Sequence, residues 1–460
     1  MAVISTSLFD IFKIGPGPSS SHTIGPMLAA ARFLRAADEL PLELQRSAAD
    51  LHVHLYGSLS STGKGHGTDR AILAGLLGQT PENCQPEFIN TLLQETSQSW
   101  EVKIAAASIA FGADNFHFEK FSDDLLWANT LRFDLYDQGN ALLLSRTYYS
   151  VGGGFILCDG ESEPTKPPPP YPYGNFQEFC QQVDESGLSA SEILLRNEQA
   201  ISGLSRNEIL SRIDHLIDLM EQAVERGLSA HGLLPGWIKL ERKAAELFER
   251  AERLSDPLDR SLLLLSAFAM AAAEENAAGQ IVVTAPTSGA SGVLPGILHL
   301  LAHYQGFNRE TLCQGMLLAG LIAFVARHNA SISGAEVGCQ GEIGVASAMA
   351  AALLAQVKGK SLKVIENAAE SALEHHLGLT CDPIGGYVQI PCIERNGVGA
   401  VTAYNAFLLA AKGNPNKHKL RFDAVIKVML ETGRDMSPMY KETACGGLAV
   451  NGLPQEQAEQ

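Results

Sequence analysis

GESEPTKPPPPYPYGNF, residues 160–176, decides how this chain is divided. Its prolines favour an extended, semi-rigid connector between two separately packed regions. Strand-like and helix-like patterns mix before this segment, in residues 1–159, whereas helical periodicity dominates after it, in residues 177–460. We therefore expect an α+β protein, in which an N-terminal mixed α/β region is joined by this Pro-rich linker to a larger all-α region.

The N-terminal region carries alternating patterns that are typical of half-buried strands. Residues 51–55 read Leu-His-Val-His-Leu, and residues 131–135 alternate apolar and polar side chains in the same way. Residues 137–140, Asp-Gln-Gly-Asn, then predict a turn into a further strand at residues 141–150. Because a helical pattern also occurs at residues 27–37, we expect this region to be mixed α and β.

The C-terminal region contains a series of helical patterns rich in alanine and glycine. The predicted helices cover residues 213–226, 262–273, 294–303, 317–327, 345–357, 362–374 and 398–411. Small residues at contact positions let helices approach closely, which favours a compact helical bundle.

The bulk composition excludes several classes of function. The chain has 460 residues, 46% of them hydrophobic and 18% charged, with a formal net charge of -17 and a pI near 5.2. Such an acidic protein is not expected to bind nucleic acid or an anionic membrane surface. Its apolar stretches are shorter than the roughly 20 residues that span a bilayer. The N-terminus lacks a secretory signal pattern, and eight dispersed cysteines fit a reducing cytoplasm.

Three cysteines stand in glycine-rich, polar contexts: Cys339 in GAEVGCQGEIG, Cys381 in GLTCDPIGG and Cys392 in QIPCIERNG. A single cysteine is usually a small core residue, and that reading stays open for each of them. Nearby glycines and prolines predict turns, however, so the three sulphurs are expected on loops at helix ends that converge. Three thiolates that hold a four-iron cluster would leave one iron open to substrate.

A run of small polar residues precedes the first long helical pattern. It consists of Ser19, Ser20, Ser21, His22 and Thr23. Hydroxyl groups satisfy free N–H groups at a helix start, and the same position attracts a carboxylate. The segment therefore predicts either a plain capping loop or part of a binding site for an anion.

The sequence GSLSSTGKGHGTD places Lys64 and His66 between glycines. A histidine in this setting has no strand or helix surface to pack against, so we expect His66 to be exposed on a loop. An exposed imidazole can carry a proton near neutral pH. An unremarkable surface loop is the alternative reading.

Residues 274–296 contain a second candidate pocket. A strand-like segment, residues 281–283, leads into Thr287 and Ser288 before a helix begins. Hydroxyl and backbone N–H groups at such a junction favour an anion. The glycine patterns of nucleotide-binding loops are absent from the sequence, so a nucleotide is not expected.

Acidic and histidine neighbours complicate the interpretation of the cysteines. Glu336 and Glu342 flank Cys339 and would raise its pKa unless a positive charge offsets them. His375 and His376 precede Cys381, but the spacing lacks the tight cysteine pairs of a structural zinc site, which disfavours zinc.

Taken together, these segments resemble the single-chain iron-sulphur-dependent L-serine dehydratase family. The resemblance extends from about residue 7 to residue 450. The matching motifs are GPSSSHTIGPM, YGSLSSTGKGHGTD, EENAAG, VVTAPTSGASG, SGAEVGCQGEIGVASAMAA, ENAAESALEHHLGLTCDPIGG, VQIPCIERN, and GRDM with YKET. So many long matches in the same order are highly specific.

The resemblance implies an enzyme that converts L-serine to pyruvate and ammonium with a [4Fe-4S] cluster, without pyridoxal phosphate, usually as a homodimer. It implies Cys339, Cys381 and Cys392 as cluster ligands, one iron being free of protein ligands, and His66 as the base, with Lys64 and Asn129 as further catalytic candidates. The substrate-binding candidates are Ser19, Ser20, Ser21, His22, Thr23, Thr287 and Ser288.

The sequence departs from the family pattern at two places. Trp127 stands where a histidine normally precedes Asn129 by two residues, and an indole cannot relay a proton. The chain ends PQEQAEQ, whereas many members end with a cysteine that occupies the fourth iron. We therefore expect an open iron at rest unless Cys445, in KETACGG, or a small molecule takes it.

Three rival interpretations remain open from the sequence, and in one of them the N-terminal region only binds serine as an effector while the chemistry uses the helical region alone. A pyridoxal-phosphate dehydratase would need a Schiff-base lysine and a phosphate loop, for which the segment Gly152–Gly154 is the candidate. A non-catalytic iron-sulphur sensor or electron carrier would ordinarily hold its cluster with four protein ligands.

Overall fold

The computed structural model describes residues 3–95, 97–104, 106–119, 125–161 and 166–452. Residues 162–165 of the expected connector and the final residues 453–460, with the cysteine-free tail, lie outside this description. The connector ends where helix α8 begins, at Phe176, with the side chain of Asn175 accepting a hydrogen bond from the backbone of Glu178.

The N-terminal region combines helices with two sheets and one strand of a third. Its helices are α1 Leu8–Ile11, α2 Gly25–Asp38, α3 Leu42–Ser47, α4 Ser58–Ser61, α5 Gly63–His66, α6 Thr68–Leu76 and α7 Pro86–Thr91, and a π-helix covers Ser20–Ile24. Its strands are β1 Ile14–Pro16, β2 Ala48–Gly57, β3 Ser99–Ile104, β4 Ala107–Gly112, β5 Phe116–Phe118, β6 Asn129–Asp137, β7 Leu142–Ser150 and β8 Ile156–Cys158.

The main sheet of this region has the strand order β5-β2-β6-β7-β8. Strands β2 and β5 run parallel, and the other neighbours run antiparallel. Leu51, Val53 and Leu55 point into a core that includes residues of α2 and α6, as the alternating pattern predicts. The predicted hairpin is also confirmed, because β6 and β7 pair across the turn that contains Asn140.

The C-terminal region is a large helical bundle. Its helices are α8 Phe176–Ser186, α9 Ala190–Ser202, α10 Arg206–Ser229, α11 Ala244–Glu252, α12 Pro257–Ala277, α13 Val293–His299, α14 Arg309–Asn329, α15 Gly334–Val337, α16 Ile343–Val357, α17 Leu362–Glu374, α18 Cys392–Lys412, α19 Phe422–Asp435 and α20 Leu448–Asn451, with one short strand, β9 Ile281–Val283. Close packing depends on small residues, since a Cβ atom at Gly227 would lie 2.2 Å from the Ala271 carbonyl oxygen.

The two regions interlock through the start of the chain. Strand β1 pairs with β9, with Gly15 opposite Val282. Leu8 and Ile11 lie in the core of the helical bundle and not in the core of the N-terminal sheet. The larger helical region that the sequence predicts is confirmed, and the strand-like segment at residues 281–283 forms a two-stranded ribbon in it together with β1 of the N-terminal region.

Helix α14 is long and apolar enough to cross a membrane, and α15 to α16 form a bent apolar pair that passes the same test together. In α14, 78% of the apolar window is buried inside the protein. This burial is what the central helix of a bundle requires, and it makes α14 weak evidence for a membrane span.

Candidate active site

A cavity between the two regions brings together several of the predicted residues. It is lined by Ser19, His66, Gly289, Cys339, Glu342, Ile343, Cys381, Pro383, Val388, Cys392 and Glu442. Two of these residues come from the N-terminal region and the others from the helical bundle. The cavity therefore exists only where the two regions meet, a common position for small-molecule sites.

The three predicted cysteines all line this cavity, and two of them, Cys339 and Cys392, lie at the start of or just before a long helix. Cys339 is in the 3-10 turn Gly338–Gln340 that precedes α16, and Cys392 is the first residue of α18. Cys381 is fixed by a parallel bridge to Lys441. The carboxyl group of Glu342 lies between two of them, 3.7 Å from Cys339 Sγ and 3.6 Å from Cys381 Sγ. The thiols are buried, with at most 9% of each residue exposed.

Arg395 supplies the positive charge that offsets the acidic neighbours of Cys339. Sequence reasoning did not single out this residue. A hydrogen bond from the Cys381 thiol and the nearby Arg395 guanidinium lower the pKa of the Cys339 thiol, although burial opposes them. Burial raises the pKa of Cys392, and burial together with the Cys339 charge raises the pKa of Glu342 well above its usual range. A thiol whose pKa is lowered beside a guanidinium is suited to bind a metal.

His66 is buried, which corrects the expectation that it lies exposed on a loop. It is only 2% exposed and ends helix α5, followed by Gly67 in the left-handed conformation. A Cβ atom at Gly65 would lie 2.9 Å from the Gly385 carbonyl oxygen, so this glycine lets the helix approach the segment that follows Cys381. Gly65 thus permits close packing between the two regions. In the sequence, the glycines around His66 instead predict that this histidine is exposed.

The hydrogen bonds of His66 fix its tautomer. Its Nδ1 lies 2.9 Å from the Thr62 carbonyl oxygen and must donate to it, which leaves the lone pair on Nε2. Its ring stacks on that of His22 at 4.2 Å between centroids. Burial, assisted by His22, lowers the pKa of His66 to about 3, and burial lowers the pKa of His22 to about 4. Both imidazoles are therefore neutral at neutral pH, and His66 presents a free basic nitrogen.

Glu442 organises the same side of the cavity, and sequence reasoning missed it. Its Oε1 accepts a hydrogen bond from Ser21 at 2.9 Å and lies 3.4 Å from His22 Nδ1, while its Oε2 accepts from Asn129 at 3.1 Å. Its φ of 46° is in the left-handed region, which is strained for a glutamate. Strained backbone conformations of this kind are concentrated at functional sites. The motif YKET contained this residue, but no local pattern indicates that it reaches Ser21.

The remaining polar candidates surround the cavity in different ways. The Ser20 hydroxyl accepts a hydrogen bond from the Ser288 backbone, and Thr287 donates to Glu342 at 2.8 Å. Among the described residues, Ser288 Oγ and Asn129 Oδ1 are buried without a hydrogen-bond partner. Because buried polar atoms are rarely left unpaired, these two atoms are suited to contact a bound ligand.

Several predicted residues lie elsewhere. Lys64 is exposed, with its ammonium 5.2 Å from the Phe118 ring centroid, and lines a neighbouring cavity that shares His66 with the first. The Thr23 hydroxyl is bonded to the Pro16 carbonyl oxygen, which gives it a structural role. Cys445 is exposed, and neither it nor Trp127 is among the residues that line the cavity.

Comparison with known proteins agrees with this arrangement over nearly the whole chain. The profile of the serine dehydratase beta chain matches residues 7–161, and the profile of the serine dehydratase alpha chain matches residues 185–449. An L-serine dehydratase of Streptomyces coelicolor is 43% identical over 462 residues, covering 97% of this chain and 99% of that protein.

Two further relatives have the same extent. An L-serine dehydratase of Haemophilus influenzae is 41% identical and covers 96% of this chain, and L-serine dehydratase 2 of Escherichia coli is 42% identical with the same coverage. These relatives and the matching profiles identify the chain as an enzyme of the lyase class. The chain belongs to the serine dehydratase family, with the beta-chain part preceding the alpha-chain part.

Proposed function

We propose that this enzyme converts L-serine to pyruvate and ammonium, using a [4Fe-4S] cluster that is held by Cys339, Cys381 and Cys392. The observation that carries the proposal is that these three thiols and the free Nε2 of a buried, neutral His66 line one cavity. The names of the relatives supply the substrate.

The residues present fit an iron-sulphur cluster. Cysteine thiolates are the usual ligands of such clusters, and the sulphurs of Cys339 and Cys381 lie within 4.8 Å of each other. Arg395 stabilises the charge of deprotonated thiols. When bound, a cluster with one iron free of protein ligands supplies a Lewis acid for the substrate hydroxyl group.

The imidazole side of the cavity supplies the base. His66 Nε2 is free to take the proton from Cα of serine, because the other ring nitrogen is held by the Thr62 carbonyl group. His22 packs flat against His66 and is itself held by Thr62 Oγ1 at 2.8 Å, so the orientation of both rings is fixed. Ser19 and Ser288 are the hydroxyl donors that we assign to the substrate carboxylate, whereas the free Asn129 Oδ1 can only accept a hydrogen bond.

The reaction balances with these groups. His66 takes the Cα proton, the electron pair forms the Cα–Cβ double bond, and the hydroxyl group leaves Cβ as hydroxide, which takes up the proton from His66 and departs as water. The resulting aminoacrylate tautomerises to an imine, which takes up water and gives pyruvate and ammonium. The residues of the cavity are required only for the first, elimination step.

One observation disfavours the pyridoxal-phosphate alternative. The lysine beside the loop Gly152–Gly154 is Lys13, whose ammonium donates to the Gly153 carbonyl oxygen at 2.9 Å and lies 3.4 Å from the Phe155 ring centroid. Burial lowers its pKa to about 7. An amine packed in this way supports the fold and does not face a cofactor pocket.

We further propose a cytoplasmic homodimer that acts in amino-acid degradation.

The decisive experiment uses protein purified without oxygen. We expect a brown chromophore, iron and sulphide at about four each per chain for a four-iron cluster, and production of pyruvate from L-serine, all of which are lost on exposure to air. Full activity in a colourless, metal-free preparation would overturn the proposal. L-Threonine should be assayed in parallel, because discrimination depends on the room near Cβ of the substrate.

A further inference from the structure

Three histidines gather on the solvent-facing side of the N-terminal sheet, away from the cavity described above. His52 and His54 lie on β2, and His117 lies on β5 directly beside His54 in the parallel register. The opposite side of β2 carries the buried residues Leu51 and Val53, so the histidines occupy the outer face. They line an open depression together with Tyr136 and Asn140.

The contact between two of these imidazoles is a close one. His52 Nδ1 and His117 Nε2 are 2.7 Å apart, and the ring centroids are 4.9 Å apart. Without a bound ion, one of these nitrogens must donate a proton to the other. With an ion between them, both lone pairs would point at the same centre, and Zn–N bonds of about 2.1 Å at a tetrahedral angle need the nitrogens about 3.4 Å apart. The rings therefore need to separate by less than an ångström.

The remaining ring nitrogen of His52 has the partner that histidine ligands of metals usually have. His52 Nε2 lies 3.0 Å from Asp50 Oδ2, so that nitrogen carries the proton and Nδ1 keeps the lone pair. A carboxylate that accepts the second N–H of an imidazole orients the ring and increases its basicity toward a metal. The Asp50 carboxylate also accepts a hydrogen bond from the Asn115 side chain, at 3.2 Å from Nδ2, which holds it in place.

His54 is the third imidazole of the group. It stacks against His117 at 4.7 Å between centroids. Its Nδ1 lies 2.7 Å from Glu119 Oε1, and its Nε2 lies 3.4 Å from Asp134 Oδ2. The guanidinium of Arg132 is bound to Asp134 at 2.9 Å and balances that charge. Carboxylates thus accompany each of the histidines on β2 and favour a cation at this position.

We propose that His52 and His117 bind a divalent cation of the zinc, nickel and copper class on the outer face of the sheet, with Asp50 as a positioning residue. Imidazole ligands are typical of this class of ions. The ion would join β5 to β2. Strand β2 ends at Gly57 and is followed by α4 and then by α5, whose last residue is His66. The proposal is independent of the proposed function, because the cavity lining includes none of these residues.

Equilibrium dialysis of the anaerobically purified enzyme against Zn²⁺ tests the site. The double variant His52→Asn/His117→Asn should bind about one Zn²⁺ fewer per chain than the unchanged enzyme, while Asp50→Asn should bind it about 10 to 100 times more weakly. His375→Asn is the matched control, since that side chain is 61% exposed and lies outside the cluster. Equal zinc binding by the unchanged enzyme and the double variant would overturn the proposal.

A second measurement needs no variant. Diethyl pyrocarbonate modifies accessible histidines, and mass spectrometry reports the extent at each residue. Zn²⁺ should slow the modification of His52 and His117 at least tenfold and leave His375 unchanged. Equal modification of His52 and His117 with and without Zn²⁺ would also refute the site, even if the double variant failed to fold.

Discussion

The two sides of the active-site cavity are held together by different kinds of contact. On the imidazole side, which we define as Ser21, His22, Thr62 and His66, the polar groups bind one another directly, as in the 2.8 Å contact between His22 Nε2 and Thr62 Oγ1. On the thiol side, defined as Cys339, Cys381 and Cys392, two sulphurs share one carboxyl oxygen of Glu342 at 3.6 and 3.7 Å.

This difference indicates what each side needs in order to work. Hydroxyl, imidazole and carbonyl groups satisfy one another with strong hydrogen bonds, so the imidazole side is complete within the protein. Thiols are weak donors and acceptors, and buried thiols gain far more from a soft metal than from a carboxyl group. We infer that the imidazole side is preorganised, whereas the thiol side depends on its cofactor.

The largest effect is expected from the thiol side. Cys381→Ser or Cys392→Ser should abolish the brown chromophore and lower kcat/KM at least about 10³-fold, because the Lewis acid contributes several kcal/mol. Anaerobic absorption spectra and a pyruvate assay measure both. Cys445→Ser, at an exposed cysteine, should keep colour and activity. Turnover that survives in either of the first two variants would contradict the ligand assignment.

The next largest effect is expected from loss of the base, which can be distinguished from loss of the cofactor. His66→Gln should lower kcat about 10²- to 10⁴-fold, the range for loss of a general base, while the chromophore and its iron content stay unchanged. Ser61→Ala, on an exposed residue of the same segment, serves as the control. If His66→Gln turned over serine at the normal rate, the base would have to be sought elsewhere.

Acid should lower the free energy of unfolding of the protein through the buried His22. The pKa of His22 is lowered from 6.5 to about 4 by burial, so below pH 6.5 the unfolded chain binds protons that the folded protein does not. The free energy of unfolding should therefore fall by about 1.4 kcal/mol per pH unit for this histidine as the pH drops from about 6.5 toward 4.

Urea unfolding of wild type and His22→Asn at pH 7, 6 and 5 measures this effect. The variant should show a shallower loss of stability with falling pH, whereas His375→Asn should behave like wild type. Parallel pH dependence in wild type and His22→Asn would argue against a buried, neutral His22.

The smallest effect concerns the link between the two regions. Glu442→Ala removes the acceptor for Ser21 and Asn129 and should lower the free energy of unfolding by about 1–3 kcal/mol, since buried donors lose their partner. Glu431→Ala, which removes an exposed carboxylate paired only at 3.8 Å with Lys427, should change it by less than about 0.5 kcal/mol. Equal stability of the two variants would show that Glu442 does not hold the regions together.

Local sequence patterns predicted much of this molecule because the interactions behind them are local. The alternation at residues 51–55 and the turn at residues 137–140 report which side chains face a core, and the structure confirms the strands that they predict. The breaks in regular structure near the three cysteines were likewise visible from glycines and prolines, since these residues interrupt regular structure wherever they occur.

The burial of His66 and the role of Glu442 were decided only by the tertiary structure. Ser21 and Glu442 are 421 positions apart, and no pattern along the chain specifies a contact over that distance. The pairing of β1 with β9 is of the same kind, because it depends on how the two regions meet.

The sequence by itself determined the two regions, the three cysteine turns and the family, since each of these rests on residue types and their order. Only the packing of one region against the other decided which of the polar residues face a common cavity, which imidazole nitrogen stays free, and which charges offset the thiols. Those properties depend on burial and on distances of a few ångströms, which many separate contacts set together.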